Sequence, residues 1–389
     1  MLYDFNLIIE RKNTNSIKYD PVSRGKPQDI LPMWVADMDF ASPACVQDAL
    51  VSRAQHGILG YSEPGASYYS AVQDWYRNRF AWNTEKEWFF ITPGVVNAIF
   101  LAVRAFTGQG DAILVQQPVY YPFASEAYKT ERNLLVNELV YNDGNYTIDF
   151  DDFEEKAKKA RLFILCNPHN PAGRVWKRDE LLRMGEICLR NKIIVISDEI
   201  HQDIIFSPGR HLVFAGLDDR FADITVTCTS PSKTFNLAGL NHANIFISSE
   251  KLRALFGREF ESCGLSQPNI MGIISCEAAY SGGKPWLDEL IVYLADNMEF
   301  LDSFLKKNIP EIKFVKPEGT YLAWLDCRRL GLSSKELNAA ITEKCKLWLN
   351  DGAMFGKGGN GFQRMNIACP RPVLENALER LKYLGNSQN

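Results

Sequence analysis

Short apolar runs recur through the middle of the chain, separated by stretches whose apolar residues return at helical spacing. Residues 112–115, 162–166, 193–197 and 224–227 read as strands. Between the second and third, residues 178–191 set Leu181, Leu182, Met184, Ile187, Cys188 and Leu189 on one face of a predicted helix. Strands alternating with helices predict an α/β fold with a mostly parallel sheet covered on both sides. Towards the C-terminus the texture changes. Residues 286–307 and 373–384 read as helices, with extended chain over 313–324 around Gly319. The expected organisation is an N-terminal segment (1–45), a large domain (46–285) and a smaller α+β domain (286–389) that the N-terminal segment joins. A chain of 389 residues also exceeds the size at which one core stops growing.

In such sheets ligands sit outside the carboxyl ends of the strands. Tyr121 follows the first run, Asn170 the second, Asp198 the third, and Ser230 and Lys233 the fourth. Separate runs delivering polar groups to one end carry more weight than any single motif.

Lys233 stands in Ser230-Pro231-Ser232-Lys233-Thr234-Phe235-Asn236-Leu237-Ala238-Gly239-Leu240. A lysine amine that condenses with an aldehyde, and a carboxylate that pairs with a pyridinium nitrogen, are what pyridoxal phosphate asks of a protein. Asp198 ends a run of isoleucine and valine, where a carboxylate is costly unless paired. A pyridinium nitrogen, an arginine or a helix N-terminus would each satisfy it. Asn167-Pro168-His169-Asn170-Pro171-Ala172-Gly173 is a dense turn whose X-Pro bonds favour a rigid loop, and a fixed Asn170 amide suits a phenolate oxygen. Tyr120 or Tyr121 could stack on a pyridine face, or be an ordinary buried tyrosine. Gly94, in Thr92-Pro93-Gly94-Val95-Val96, opens an apolar helix whose amides could approach a phosphate. Arg364 could hold a substrate carboxylate by two parallel bonds.

Two motifs compete. Ser230-x-x-Lys233 also fits the serine–lysine pair of penicillin-binding proteins and β-lactamases. Those need S-D-N and K-T-G, and the nearest pieces here are Ser197-Asp198-Glu199 and Lys233-Thr234-Phe235. Residues 356–361 match G-x-G-x-x-G, but too little chain follows for a βαβ unit, so this reads as a flexible loop near Arg364. The net charge of -4 argues against nucleic-acid binding. Nine cysteines without a C-x-x-C pair argue against a metal ribbon or a disulfide framework, and fit reduced thiols in the cytoplasm. No signal peptide and no membrane-length apolar run is apparent.

Taken together, these residues resemble the fold-type I pyridoxal-phosphate enzymes of the class I/II aminotransferase superfamily, and within it the bacterial cystathionine β-lyases and cysteine-S-conjugate β-lyases. The carrying segments are Met33-Trp34-Val35-Ala36-Asp37-Met38-Asp39-Phe40, Ser197-Asp198-Glu199-Ile200-His201-Gln202-Asp203 and the Lys233 segment above. The resemblance implies a seven-stranded sheet in the large domain and pyridoxal 5'-phosphate joined to Lys233, the catalytic base. It implies that Asp198 pairs with the ring nitrogen, Tyr121 stacks on the ring, and Asn170 binds the phenolic oxygen. Ser230, Gly94, Val95 and Val96 would hold the phosphate, and Arg364 with Asn170 the substrate. Tyr61 would reach the neighbouring subunit's phosphate and substrate, making a homodimer with shared active sites. His201 stands where many relatives have a tyrosine, and Asn241 where many have a phosphate-binding arginine. The implied activity is β-elimination from an amino-acid thioether to a thiol, pyruvate and ammonia. Amino transfer would use the same residues, and a regulatory role through binding a transcription activator is a further alternative.

Overall fold

Seven strands form the main sheet: β1 (Phe89–Thr92), β2 (Ala112–Gln117), β3 (Asn133–Glu138), β4 (Leu162–Cys166), β5 (Ile194–Asp198), β6 (Thr225–Thr229) and β7 (Ala243–Phe246). In this computed structural model, which describes residues 3–20, 22–206 and 208–386, their spatial order is β1-β7-β6-β5-β4-β2-β3. Only β7 runs antiparallel to its neighbours, so the sheet is mostly parallel, as expected.

Side-chain alternation explains why both faces are covered. In β4, Leu162, Ile164 and Cys166 enter one core layer, while Phe163 and Leu165 enter the layer on the opposite face. Ile113 and Val115 of β2 likewise part from Leu114. Helix α1 (Val95–Phe106) covers the first face with Val95, Ala98, Ile99, Ala102 and Phe106, at helical spacing. Helix α2 (Arg178–Arg190) covers the second with Leu181, Met184, Ile187 and Cys188. Its start is fixed by Glu180, whose carboxylate accepts from the Lys177 backbone N–H at 2.8 Å.

The strand ends differ slightly from the pattern reading. β2 continues through Gln116 and Gln117, and β5 and β6 both start and finish one or two residues later than 193–197 and 224–227. The polar residues at these ends are paired or face a cavity: Gln116 donates to Asn137 Oδ1 at 3.3 Å, Thr229 to the Asn244 carbonyl at 2.9 Å, and Asp198 lines a cavity. Helix α3 (Lys284–Asn308) starts before residue 286, so the expected boundary at 285/286 falls inside a 25-residue helix. Residues 313–324 are not one extended stretch. They form β8 (Lys313–Val315) and part of β9 (Leu322–Asp326), which pair antiparallel after a reversal through residues 316–321. The C-terminal helix, read as 373–384, is Arg371–Leu381 followed by a separate turn, Tyr383–Asn386.

A second sheet, order β8-β9-β11-β10 with β10 (Asn350–Asp351) and β11 (Phe362–Asn366), is wholly antiparallel. Leu31–Pro32 pairs in parallel with Leu347–Trp348, which ties the N-terminal segment to this C-terminal region. Within residues 356–361, Gly356, Gly359 and Gly361 are closely packed, while Lys357, Gly358 and Asn360 are exposed. A Cβ on Gly352 would lie 2.1 Å from the Gly359 carbonyl oxygen, and one on Gly356 would collide with Gln117.

Candidate active site

At the carboxyl end of the main sheet, a cavity of about 250 Å³ opens between β2, β4, β5, β6 and the start of α1. It lies where the strand order reverses, since from β2 the chain goes outward to β3 and then returns to β4 on the other side. Its lining includes Asn170, Asp198, His201, Ser230, Lys233 and Gly94 to Val96, all named from the sequence.

Asp198 is the last residue of β5, in register between Cys166 of β4 and Cys228 of β6. Its Oδ1 accepts from the Ile200 N–H at 3.1 Å, and no cation forms an ion pair with it among the described residues. Burial pushes its pKa up to about 7. A buried carboxylate facing a cavity without a counter-ion is suited to a cationic ring nitrogen.

Lys233 lies in a short turn of helix, Pro231–Thr234, opened by Ser230, whose hydroxyl accepts from the Ser232 N–H at 3.0 Å. Its Nζ donates to the Ala36 carbonyl at 2.7 Å. Asn236 clamps the irregular segment after Ala36 to this turn, its amide donating to the Met38 and Phe40 carbonyls at 3.0 and 2.8 Å. Behind the turn, buried Asp203 accepts from Thr234 Oγ1 at 2.8 Å and pairs with Arg79 at 2.6 Å. Burial lowers the Lys233 pKa to about 8, with Arg364 adding to the decrease and Asp37 and Asp198 opposing it.

This shift gives a pH-dependent signature. The folded pKa lies below the ordinary lysine value of 10.5, so folding is penalised where the unfolded chain holds the proton. The penalty is full below pH 8 and is relieved as pH rises from there to 10.5. Its size is at most about 3 kcal/mol. Denaturant midpoints of the cofactor-free protein, measured against Lys233→Met, should therefore converge between pH 8 and 10.5. Parallel curves would show that the amine is freely solvated.

Arg364 is on β11, facing away from the core that takes Met365. Its Nη1 donates to Asn170 Oδ1 at 3.0 Å, and its Nη2 to the Trp34 carbonyl at 3.1 Å and Asn350 Oδ1 at 2.6 Å. All these acceptors are neutral, and Nε has no partner among the described residues. Burial lowers its pKa to about 10. A buried guanidinium without a carboxylate calls for an anionic ligand. Arg364→Ala is expected to raise KM for an amino-acid substrate about 100-fold, the scale of two charge-assisted bonds, with a smaller change in kcat. Initial-rate kinetics read this split.

Not every sequence assignment lies on this cavity. Tyr120 lines it, whereas Tyr121 is 40 % exposed beside it, the two rings 5.3 Å apart. Ser230 lines the cavity, but its hydroxyl already donates to the His242 carbonyl at 2.6 Å. Tyr61 is 91 % exposed and does not line this cavity. His201 is kept neutral by burial, its pKa lowered to about 3, and its Nδ1 has no partner among the described residues. Asn241 lines the cavity from a left-handed conformation, φ +50°, which asparagine adopts readily. Sequence reading missed Ala36, Cys166, Ile200 and His242, which also line it. Ala36 contributes a carbonyl, and no residue-type signal could have marked that.

The start of α1 suits a phosphate. Gly94 precedes the helix with no side chain capping its first amides, and Pro93 to Asn97 line the cavity. Among the described residues no cluster of histidine, cysteine and carboxylate side chains could hold a metal ion.

The sheet, the cavity at its switch point and the lysine–carboxylate pair define a doubly wound α/β enzyme built for carbonyl–amine chemistry. Residues 29–381 match the family described as aminotransferase class I and II, and the chain belongs to it. It is 46% identical to the protein named cystathionine beta-lyase PatB of Bacillus subtilis (strain 168), over 96% of this chain and 97% of that one. Its fold is similar to that of a PLP-bound putative aminotransferase from Clostridium difficile 630, with TM-score 0.97, 42% identity and coverage of 98% and 99%. It is also similar to cystalysin from Treponema denticola, a structure containing pyridoxal 5'-phosphate, with TM-score 0.96, 38% identity and full coverage of both chains, 100% and 100%.

Proposed function

We propose that this chain is a pyridoxal-phosphate-dependent carbon–sulfur β-lyase. It cleaves L-cystathionine, or a related cysteine thioether, with water to a thiol (homocysteine from cystathionine), pyruvate and ammonia. The observation that carries the reading is one cavity holding a depressed lysine and an unpaired buried carboxylate, beside an arginine that lacks a counter-ion. The β-lyase names among its relatives fix the choice within the family.

When bound, pyridoxal phosphate supplies an electron sink for a carbanion at the substrate Cα. Asp198 holds the proton at the ring nitrogen, and that cationic partner keeps the carboxylate charged. Lys233 would hold the cofactor aldehyde, and its free amine would take the Cα proton. Its lowered pKa makes the neutral amine available near neutral pH. Arg364 fixes the α-carboxylate, and Asn170, whose carbonyl oxygen is already engaged by Arg364, turns its amide N–H₂ to the phenolic oxygen. His201 lies against the same region of the cavity. Tyr120 rather than Tyr121 is the ring-stacking residue, because it forms the cavity wall. The amides of Val95 and Val96 after Gly94 would hold the phosphate, and Ser230 would join them by turning its O–H away from the His242 carbonyl.

The same reading makes the protein a homodimer, in which Tyr61 serves the partner's site. Supporting this, Ile58, Leu59 and Tyr61 form an exposed apolar run, 68%, 59% and 91% accessible, that a second copy would cover. The same reading divides the chain into a large domain and a smaller C-terminal one joined by the N-terminal segment, with the boundary placed ahead of Lys284, where a helix begins. All nine cysteines are free thiols, which supports a cytoplasmic location. No described helix is long and apolar enough to cross a membrane.

The test is to incubate the holoenzyme with L-cystathionine and assay thiol and pyruvate together. Equal release of both is expected. Keto-acid-dependent amino transfer without thiol release overturns the proposal in favour of an aminotransferase.

A further inference from the structure

Tyr321 stands one residue ahead of β9, and its hydroxyl reaches a group that the reactive amine also uses. The hydroxyl donates to the Ala36 carbonyl at 2.9 Å, and Lys233 Nζ donates to the same oxygen at 2.7 Å. Ala36 lines the cavity, whereas Tyr321 is fully buried outside its lining. The segment that carries this carbonyl is pinned on both sides. Asn366 donates to the Val35 and Asp37 carbonyls, at 2.6 Å each, and Asn236 to those of Met38 and Phe40.

The placement of Tyr321 has a backbone signature. Thr320 is buried and holds φ +72°, which a β-branched residue takes only under strain. Its N–H donates to the Ile204 carbonyl at 2.9 Å, and its Oγ1 accepts from the Leu322 N–H at 3.2 Å. Strain of this kind persists where the surroundings over-determine it, and it clusters at functional sites. The next ring, that of Tyr321, meets His201 edge to face with 5.9 Å between centroids.

The charges around the amine are few. Asp37 and Asp198 favour its protonated form, and Arg364 disfavours it. Asp37 is itself paired with Arg11 at 2.6 Å and lies 3.8 Å from Lys18. The other titratable groups on the cavity wall, Tyr120, Cys166, His201 and His242, are held neutral by burial. Burial, with Asp37 adding to it, also keeps the proton on Tyr321.

We infer that Tyr321 is a positioning residue for Lys233: its hydroxyl occupies one lone pair of the Ala36 carbonyl, leaves the amine a single weakened acceptor, and so favours the neutral amine. The inference rests on reading Lys233 as the amine that joins the cofactor, and extends that reading to a residue outside the cavity. A carbonyl oxygen has two lone pairs, and two donors on it weaken each other. An ammonium loses more by this than a neutral amine, because its bond is the charge-assisted one.

The experiment follows the cofactor-free protein as it takes up pyridoxal phosphate, read as growth of the yellow absorbance of the lysine-linked aldehyde. Attack on the aldehyde needs the neutral amine, so the rate rises with pH through the Lys233 pKa. The cofactor's own ionisations are the same for every variant and cancel in the comparison. Tyr321→Phe keeps the ring and frees the lone pair, and its midpoint should move up by about one pH unit. Protein carrying 3-fluorotyrosine at residue 321 keeps the shape with a stronger donor, and its midpoint should move down by a smaller amount. A ring that only filled space would not give these opposed shifts. The fluorinated protein decides the matter even where the phenylalanine variant does not fold. Equal midpoints, or shifts of the same sign, overturn the inference alone. A wild type that never turns yellow overturns the cofactor reading, and the inference with it.

Discussion

Lys233→Ala is expected to lower thiol release from L-cystathionine by at least about 10⁴-fold, the upper end for one positioned proton-transfer group. The variant should also lose the yellow colour that a lysine-linked pyridoxal aldehyde gives. The loss is expected to be large because the proposed function gives one amine two tasks, anchoring the cofactor and removing the Cα proton. Its surroundings are arranged for both. Nζ reaches the Ala36 carbonyl, Asn236 ties that segment to the same turn, and burial keeps the pKa near 8. Exogenous small amines should restore part of the proton transfer without restoring the anchor. If the alanine variant kept more than about a hundredth of wild-type turnover, Lys233 could not be the base.

Asp198→Asn is expected to lower kcat about 10³-fold with KM changed only a few-fold, as for loss of charge stabilisation confined to the transition state. Asparagine preserves shape and can keep the bond from the Ile200 N–H, now at 3.1 Å. What disappears is the negative charge that, under the proposed function, keeps a proton on the ring nitrogen. Exchange of the substrate Cα proton in deuterated water reads that step directly and should slow in proportion. A variant in which KM rises while exchange continues at the wild-type rate would place Asp198 in binding instead.

Much of this site was legible because the sequence carries it at strand ends. Asp198, Asn170, Ser230 and Lys233 each follow an apolar run, and four runs in a parallel sheet end on the same edge. The strands of the main sheet that the pattern did not show were β1, β3 and β7. β1 and β7 are four residues each, too short for a period to declare itself, and β3 is an edge strand flanked by polar residues. The hairpin of β8 and β9 was obscured because its reversal passes through Gly319, which in sequence looks like an interruption of one strand. Between Tyr120 and Tyr121 the sequence offers no preference. Only the turn after β2, fixed by the Tyr120 N–H donating to the Asn170 carbonyl at 2.9 Å, decides which ring meets the cavity. The sequence gives Trp34 no visible role, because its stacking partner Trp348 is more than 300 residues away in the chain.

The 15-residue helix Ala66–Phe80 connects two regions of the molecule. Just ahead of it lies the apolar stretch ending in Tyr61, and near its far end Arg79 grips Asp203, which steadies Thr234 next to the reactive amine. Under the dimer reading, one rigid rod runs from the docking surface to the underside of the lysine turn. Separated subunits should then have a double handicap, a missing tyrosine across the seam and a slackened floor within. Dilution would blunt catalysis before it released any vitamin.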